Sequence, residues 1–173
     1  IVETPLAPYF RETMREEDLD EMNVEIIRNT LYRAYLEDFH AFCKQLGGTT
    51  AMVMSELLQF EADRRAITIT VNSLGTDLNL ADRQKLYPNF GLLYPVGVAA
   101  LEKAEELDQV VAACSHVHTY RELLSGLGGQ AEARLDASFF EHEVKLNKLA
   151  FMEQMHYGAF YAYVKLREQE VRN

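Results

Sequence analysis

The sequence is poor in basic charge, in cysteine and in unbroken apolar stretches, and each shortage removes a class of function. Seventeen Lys and Arg stand against 27 Asp and Glu, a formal net charge of −10. A nucleic-acid binder exchanges a basic face for the counterions of a phosphate backbone. Here the basic residues are spread thinly, with Arg64-Arg65 the only adjacent pair. Nucleic acid is therefore not an expected partner, and neither is direct electrostatic docking on anionic lipid. The two cysteines, Cys43 and Cys114, are far apart among apolar neighbours. They are too few for a disulfide framework and suit buried thiols in a reducing compartment, with a single bridge left open. The longest run without charge covers 86–101 and is broken by Pro88, Gly91, Pro95 and Gly97. That is too short and too interrupted to span a bilayer, and nothing at the start resembles a signal peptide. Dinucleotide, phosphate-loop and Gly-x-Ser-x-Gly fingerprints are missing as well.

What remains is a helical pattern. After an extended or turn segment at Thr4-Pro5-Leu6-Ala7-Pro8, a long helix is expected from about 20 to 46. Its apolar stripe is Tyr32, Tyr35, Leu36, Phe39, Phe42, Cys43 and Leu46, flanked by Val24, Ile27 and Leu31. Gly47-Gly48 should stop it, and Thr49 or Thr50 should cap a second helix to about 73. The second seam runs Val53, Leu57, Phe60, Arg64, Ile67, Val71 and Leu74, in steps of four and three. The stretch 67–71 alternates like a strand, but the seam passing through it favours helix. A capping start at 79–82, short helices near 95–103, 107–114 and 120–125, and a loop at 126–131 follow. A last long helix is expected over 137–172, with Glu141/Lys145 and Glu168/Arg172 as i,i+4 pairs. The expected class is all-α, with long antiparallel helices in a bundle unit. We read 1–173 as one helical region: 1–15 an extended lead-in, 16–75 a helical pair, 76–135 short helices and loops, and 136–173 a long C-terminal helix. A chain that opens at Ile1 without methionine and stops at Asn173 in a charged helical run reads as part of a longer one.

Three clusters could carry chemistry. Two Glu-x-x-His pairs, Glu37/His40 and Glu153/His156, with Glu61 and Glu143, have the residue types of a di-iron carboxylate site. The topology is poor, because Glu143 shares its expected helix with Glu153, and both histidines adjoin aromatics. Cys114, His116 and His118 could offer three ligands from an extended strand, although a structural zinc site needs a fourth. His142 between Glu141 and Glu143 cannot converge with them, since consecutive helical residues point about 100° apart. The block Glu61-Ala62-Asp63-Arg64-Arg65 is the one most worth following. Arg64 falls on the core seam and needs a carboxylate, either Glu61 or one from a neighbouring helix. Asp63 and Arg65 are expected to face outward, where they could set the register of a partner helix. Glu61, Asp63, Arg64 and Arg65 are thus structural or interface candidates.

Several ordered blocks carry a resemblance. They are 18–39, 60–66 (Phe60-Glu-Ala-Asp-Arg-Arg-Ala66), 140–151 and 161–170. Together they closely resemble the subunit d family of vacuolar-type proton ATPases, in the V0 sector, which has a counterpart in the archaeal-type ATPases. The resemblance runs over nearly the whole chain and weakens between about Val96 and Asp136. His40, where an aromatic is usual, and the 114–120 stretch depart from the family pattern. The resemblance implies the C-terminal half of a funnel-shaped subunit built from related helical units. It implies a rotor part on the cytosolic face of a vacuolar membrane, with the central shaft and the proteolipid ring as partners. It further implies no cofactor, no metal and no catalytic residue. Stiffness would then come from an aromatic core of Phe39, Phe42, Phe140, Phe151, Phe160, Tyr161 and Tyr163. A helical di-iron oxidase and a free-standing helical adaptor are the alternatives.

Overall fold

A 26-residue helix whose middle is buried on every side organises the structure. The computed structural model describes residues 7–9, 21–76, 78, 80–125, 131–153 and 155–172. Its helices are α1 (Glu21–Leu46), α2 (Gly48–Ser73), α3 (Leu80–Leu86), α4 (Val96–Leu101), α5 (Leu107–Cys114), α6 (His118–Leu123), α7 (Ala131–Met152) and α8 (Gly158–Arg172). There is no strand among the described residues, and 67–71 is helical. The expected helix start at Asp20, the cap at Asn79, the loop 126–130 and most of the lead-in lie outside the described residues. Of the lead-in, residues 7–9 form a helical turn.

In α2 the consecutive residues Phe60, Glu61, Ala62 and Asp63 are all buried. At about 100° per residue these four sample the whole circumference, so no face of α2 is left to solvent there. Accordingly α2 packs against α1, α3, α4, α5, α7 and α8. Two apolar clusters form along it. One gathers Phe60, Ile67 and Val71 with Tyr87, Leu93, Leu101, Val110, Tyr120 and Phe139. The other joins Val53, Met54, Leu57 and Leu58 to Leu36 and Cys43 of α1, Ala150 of α7 and Ala162 of α8. Cys43 and Cys114 are both buried and unbridged, one in each cluster.

Helix α1 turns into α2 at Gly47 (φ 69°) and Gly48 (φ 54°), values that favour glycine. Neither threonine caps α2: Gly47 holds the N-cap position with no side-chain bond. The Thr50 hydroxyl instead accepts the Tyr157 N–H at 3.1 Å, tying the α7–α8 turn to the start of α2. That turn corrects the expectation of one helix over 137–172. α7 ends at Met152 and α8 begins at Gly158. Gly158 passes so close to α2 that a Cβ there would meet Val53 Cγ1 at 3.2 Å and Met54 Sδ at 3.3 Å. The chain breaks where it must fold back over α2, a demand the helical periodicity of the segment does not reveal.

The expected aromatic core is also corrected. Phe42, Phe160 and Tyr163 are more than half exposed, and Phe151 is 50% exposed. Phe39, Phe140 and Tyr161 are partly buried. The fully enclosed rings are Tyr87, Tyr120 and Phe139.

The segment between α3 and α4 is held by side chains rather than by regular structure. Glu37 on α1, itself paired with Arg33 at 3.0 Å, accepts the Asn89 N–H at 2.9 Å and its Nδ2 at 3.0 Å. Asp63 on α2 accepts the Leu92 and Leu93 N–H groups. Gly91 (φ 129°) permits this approach, since a Cβ there would lie 2.2 Å from Asp63 Oδ1. Replacing Gly91 by Ala is expected to lower unfolding stability by about 1–3 kcal/mol, from overpacking and a disfavoured φ together. A denaturant melt would read this, and the cost should be smaller when Asp63 is already Ala.

Candidate functional site

Glu61-Ala62-Asp63-Arg64-Arg65 lies midway along α2, and the helical turn sends its charges in three directions. Glu61 and Arg64, three residues apart, face α1, α7 and α8. The Arg64 guanidinium grips Glu61 through Nη2 at 2.7 and 2.9 Å and Nε at 3.1 Å. Arg64 also lies 3.8 Å from Glu143 Oε2 on α7, and Lys165 on α8 reaches Glu143 at 3.6 Å. The Tyr32 hydroxyl on α1 donates to Glu61 Oε1 at 2.6 Å. Glu61, Arg64, Glu143, Lys165 and Tyr32 thus form a cluster that joins four helices, with Lys165 also reaching Glu168 at 3.5 Å.

The energetics explain why it must be complete. Glu61 and Glu143 are nearly inaccessible, with 4% and 7% of their side chains exposed. A lone buried charge costs several kcal/mol, whereas a well-bonded pair recovers most of that. Burial pushes the Glu61 carboxyl up, but the Arg64 charge and hydrogen bonds outweigh it and leave the group below its ordinary value. Burial pulls the Arg64 guanidinium down, and Glu61 and Glu143 more than reverse this. Burial beside Glu61 holds the Tyr32 phenol well above its usual range.

Asp63 does not face outward as the sequence pattern suggests. It is 1% exposed and points to the opposite side of α2 from the Glu61 cluster. Its Oδ2 accepts the Leu92 N–H at 2.8 Å and the Tyr120 hydroxyl at 2.7 Å, and its Oδ1 accepts the Leu93 N–H at 3.2 Å. Charge normally marks an exposed position, but three donors brought from distant segments make burial tolerable. Burial raises its carboxyl to about 6, against the downward pull of those bonds. Arg65 is half-buried and lies over the Tyr32 ring, 4.7 Å from its centroid. The Tyr32, Lys165 and Tyr120 partners carry no local signal, because each is brought in by a different helix. Glu143 could have been suspected only by pairing the two charged blocks across space.

The di-iron residues do not converge. Glu37 is committed to Arg33 and Asn89, and His40 stacks on Phe90 at 4.2 Å. Glu61 and Glu143 belong to the ion cluster, while Glu153 is more than half exposed. Among the described residues no three His, Cys, Asp or Glu are grouped to hold a metal ion. Cys114 ends α5, His116 lies in the turn that follows and His118 begins α6, so the three are not on a strand. The Cys114 thiol is fully enclosed and raised to about 12 by burial. His142 packs on Phe60 at 4.9 Å.

Neutralising Glu61 as Gln is expected to cost about 3 kcal/mol, since it leaves Arg64 without its close partner. Glu143→Gln should cost about 1 kcal/mol, because its contacts are longer; denaturant melts of the two variants separate these. Asp63 adds a pH dependence of definite sign. Its folded value lies above the 3.8 of a free Asp, so its contribution is full below about pH 4 and is lost as pH rises through about 6. Stability should therefore fall between about pH 4 and about pH 6 and level off above that, and Asp63→Asn should flatten that slope. Glu61 acts oppositely, its contribution being lost only in stronger acid.

Comparison with known proteins agrees with this all-helical frame. A family profile described as ATP synthase (C/AC39) subunit matches residues 1–173. The V-type proton ATPase subunit d of Dictyostelium discoideum is 59% identical over all of this chain and 49% of its own length. The subunit d1 of Arabidopsis thaliana is 55% identical, again over the whole chain and 49% of the relative. The Saccharomyces cerevisiae subunit d is 42% identical over the same shares. The chain spans about half the length of the curated relatives it matches. Among the described residues no helix is long and apolar enough to cross a membrane. A match over the full span and identities well above those of chance likeness lead to one conclusion: this chain belongs to the ATP synthase (C/AC39) subunit family.

Proposed function

We propose that this chain is part of a non-catalytic rotor subunit of a V-type proton ATPase. In this reading it sits on the cytosolic side of a vacuolar or other endomembrane, joins the central shaft to the proteolipid ring, and passes torque without performing chemistry. The observation that carries it is the match of the entire chain, at 42–59% identity, to relatives named V-type proton ATPase subunit d.

Two features of the architecture support it. A torque-bearing part must resist relative sliding of its helices. Here the Glu61–Arg64–Glu143–Lys165 cluster, the Glu37 and Asp63 clamps and the Thr50–Tyr157 bond cross-link α1, α2, α7, α8 and the 87–95 segment. Glu61, Asp63 and Arg64 act in this reading as structural braces, and Arg65 as an interface residue. A part that works inside an assembly also leaves apolar surface for its neighbours. Tyr157 (68% exposed), Phe160 (72%), Met152 (77%) and Met155 (96%) cluster about the α7–α8 turn, more than a free-standing domain commonly shows in one place.

The test is a gentle purification of the tagged, full natural chain from native membranes. Ring and shaft subunits should come with it in fixed ratio. Recovery of the protein alone would overturn the proposal. The Glu61→Gln form should lose proton pumping in proportion to the subunit missing from the assembly, with turnover per assembled pump unchanged. A fall in turnover without loss of the subunit would contradict the purely structural role of Glu61.

A further inference from the structure

A cavity of about 510 Å³ opens between α1 and α2, on the side where Arg65 lies. Its α2 wall is formed by Arg65, Thr68, Ile69 and Asn72. Arg65, Thr68 and Asn72 stand at i, i+3 and i+7, so they form one stripe running about 10 Å along the helix. The residues around that stripe are otherwise buried: Ala66, Ile67, Ile69, Thr70, Val71 and Ser73 are all in the core. Within the stripe Arg65 and Thr68 are half-buried, and Asn72 is exposed where it lines the cavity.

The stripe is also chemically idle. Thr68 and Asn72 make no side-chain hydrogen bond among the described residues, unlike Thr70, which bonds Ala66 O and Tyr87. Arg65 has no carboxylate within ion-pair distance among the described residues, while its neighbour Arg64 has two. Its Nε is buried without an acceptor among the described residues, and its guanidinium lies over the Tyr32 ring. Burial lowers the Arg65 guanidinium, only partly countered by Tyr32 and Glu61, with Arg28 and Arg64 repelling it. A half-buried cation with no ion-pair partner among the described residues leaves a place for an anion supplied by another molecule. The ring contact fixes the guanidinium plane in advance, so less entropy is lost when an anion arrives.

On the facing wall the one carboxylate among the described residues, Glu25, is already paired with Arg28 at 2.7 Å. The Asn29 amide is likewise occupied, donating to Glu25 O at 2.8 Å. Ile26 and Ile69 supply an apolar surface beside the stripe. We propose that this cavity receives an acidic side chain from a partner polypeptide: its carboxylate pairs with Arg65, Asn72 and Thr68 bond the adjoining polar groups, and a neighbouring apolar side chain rests on Ile26 and Ile69. A carboxylate suits the planar guanidinium fork better than a multiply charged phosphate suits a chain of net charge −10. The site goes beyond the pump reading and stands without it, because it rests on the idle stripe alone.

The experiment uses the full natural chain labelled with ¹⁵N at arginine Nε, with Arg65→Gln identifying the resonance. The probes are the capped tripeptide acetyl-leucyl-glutamyl-leucine amide, its glutaminyl counterpart, and inorganic phosphate. The glutamyl peptide should move the Arg65 Nε–H signal and saturate, while the glutaminyl peptide and phosphate leave it in place. Asn72→Ala, a change at an exposed position that spares the core, should weaken the glutamyl peptide about threefold to tenfold, the worth of one hydrogen bond. The proposal is overturned if the glutamyl peptide leaves Arg65 unmoved, whether the cavity is empty or already filled by the protein's own chain. It is equally overturned if phosphate saturates the same signal, or if Asn72→Ala binds the peptide as well as wild type does.

Discussion

The structure depends on placing ionised side chains in the middle of its most buried helix. An apolar α2 would satisfy the seam geometry, yet it would let α1, α7 and α8 settle at several neighbouring registers. The Glu61–Arg64 pair removes that freedom. Its carboxylate takes a further hydrogen bond from Tyr32 on α1, and its guanidinium a second, longer ion pair from Glu143 on α7. Displacing α7 by one turn would leave the buried Glu143 without its cations, and displacing α1 would take a hydrogen bond from Glu61. The cluster therefore acts more on register than on total stability, a role consistent with how polar groups behave in cores.

Asp63 applies the same device on the other side of α2, to a segment without regular structure. The chain from 87 to 95 has few backbone partners of its own, and two of its N–H groups end on this one carboxylate. Tyr120 completes the site from α6 and carries the constraint to the short helices. Because burial raises the Asp63 carboxyl while the Arg64 charge lowers that of Glu61, the two sides of α2 respond to pH in opposite directions. A helix braced in this way has little freedom to rotate or slide.

Apolar surface is distributed against this braced centre in a telling way. The α7–α8 turn carries large exposed side chains while its backbone is tied down by Thr50 and by the tight passage of Gly158 over α2. Covering these exposed methionines and aromatics would remove apolar surface from water. The Arg65 stripe is a smaller version of the same design, with a cation in place of apolar rings. Both features make sense for a chain that completes its surface against other polypeptides.

Helix identity was legible in the sequence because it follows from short-range periodicity and from glycine. The steps of four and three through 53–74 locate α2, Gly47-Gly48 locates its beginning, and Arg64 on that seam already demands a carboxylate partner within reach. The identity of that partner at three residues' distance is a local matter too. The break at 153–157 was not legible, since the apolar spacing continues through it and only the closeness of α2 forces the turn. Nor was the burial of Asp63, whose three donors come from residues 29 to 57 positions away. The aromatics were misplaced for the same reason: a ring's spacing tells which face of its own helix it occupies, and only the packing of the other helices decides whether that face is covered. Thus the sequence by itself determined the helical class, the glycine joint between α1 and α2 and the need for a buried ion pair. The tertiary structure alone decided which charges meet, because the energy of a buried charge is set by groups that no local pattern can name.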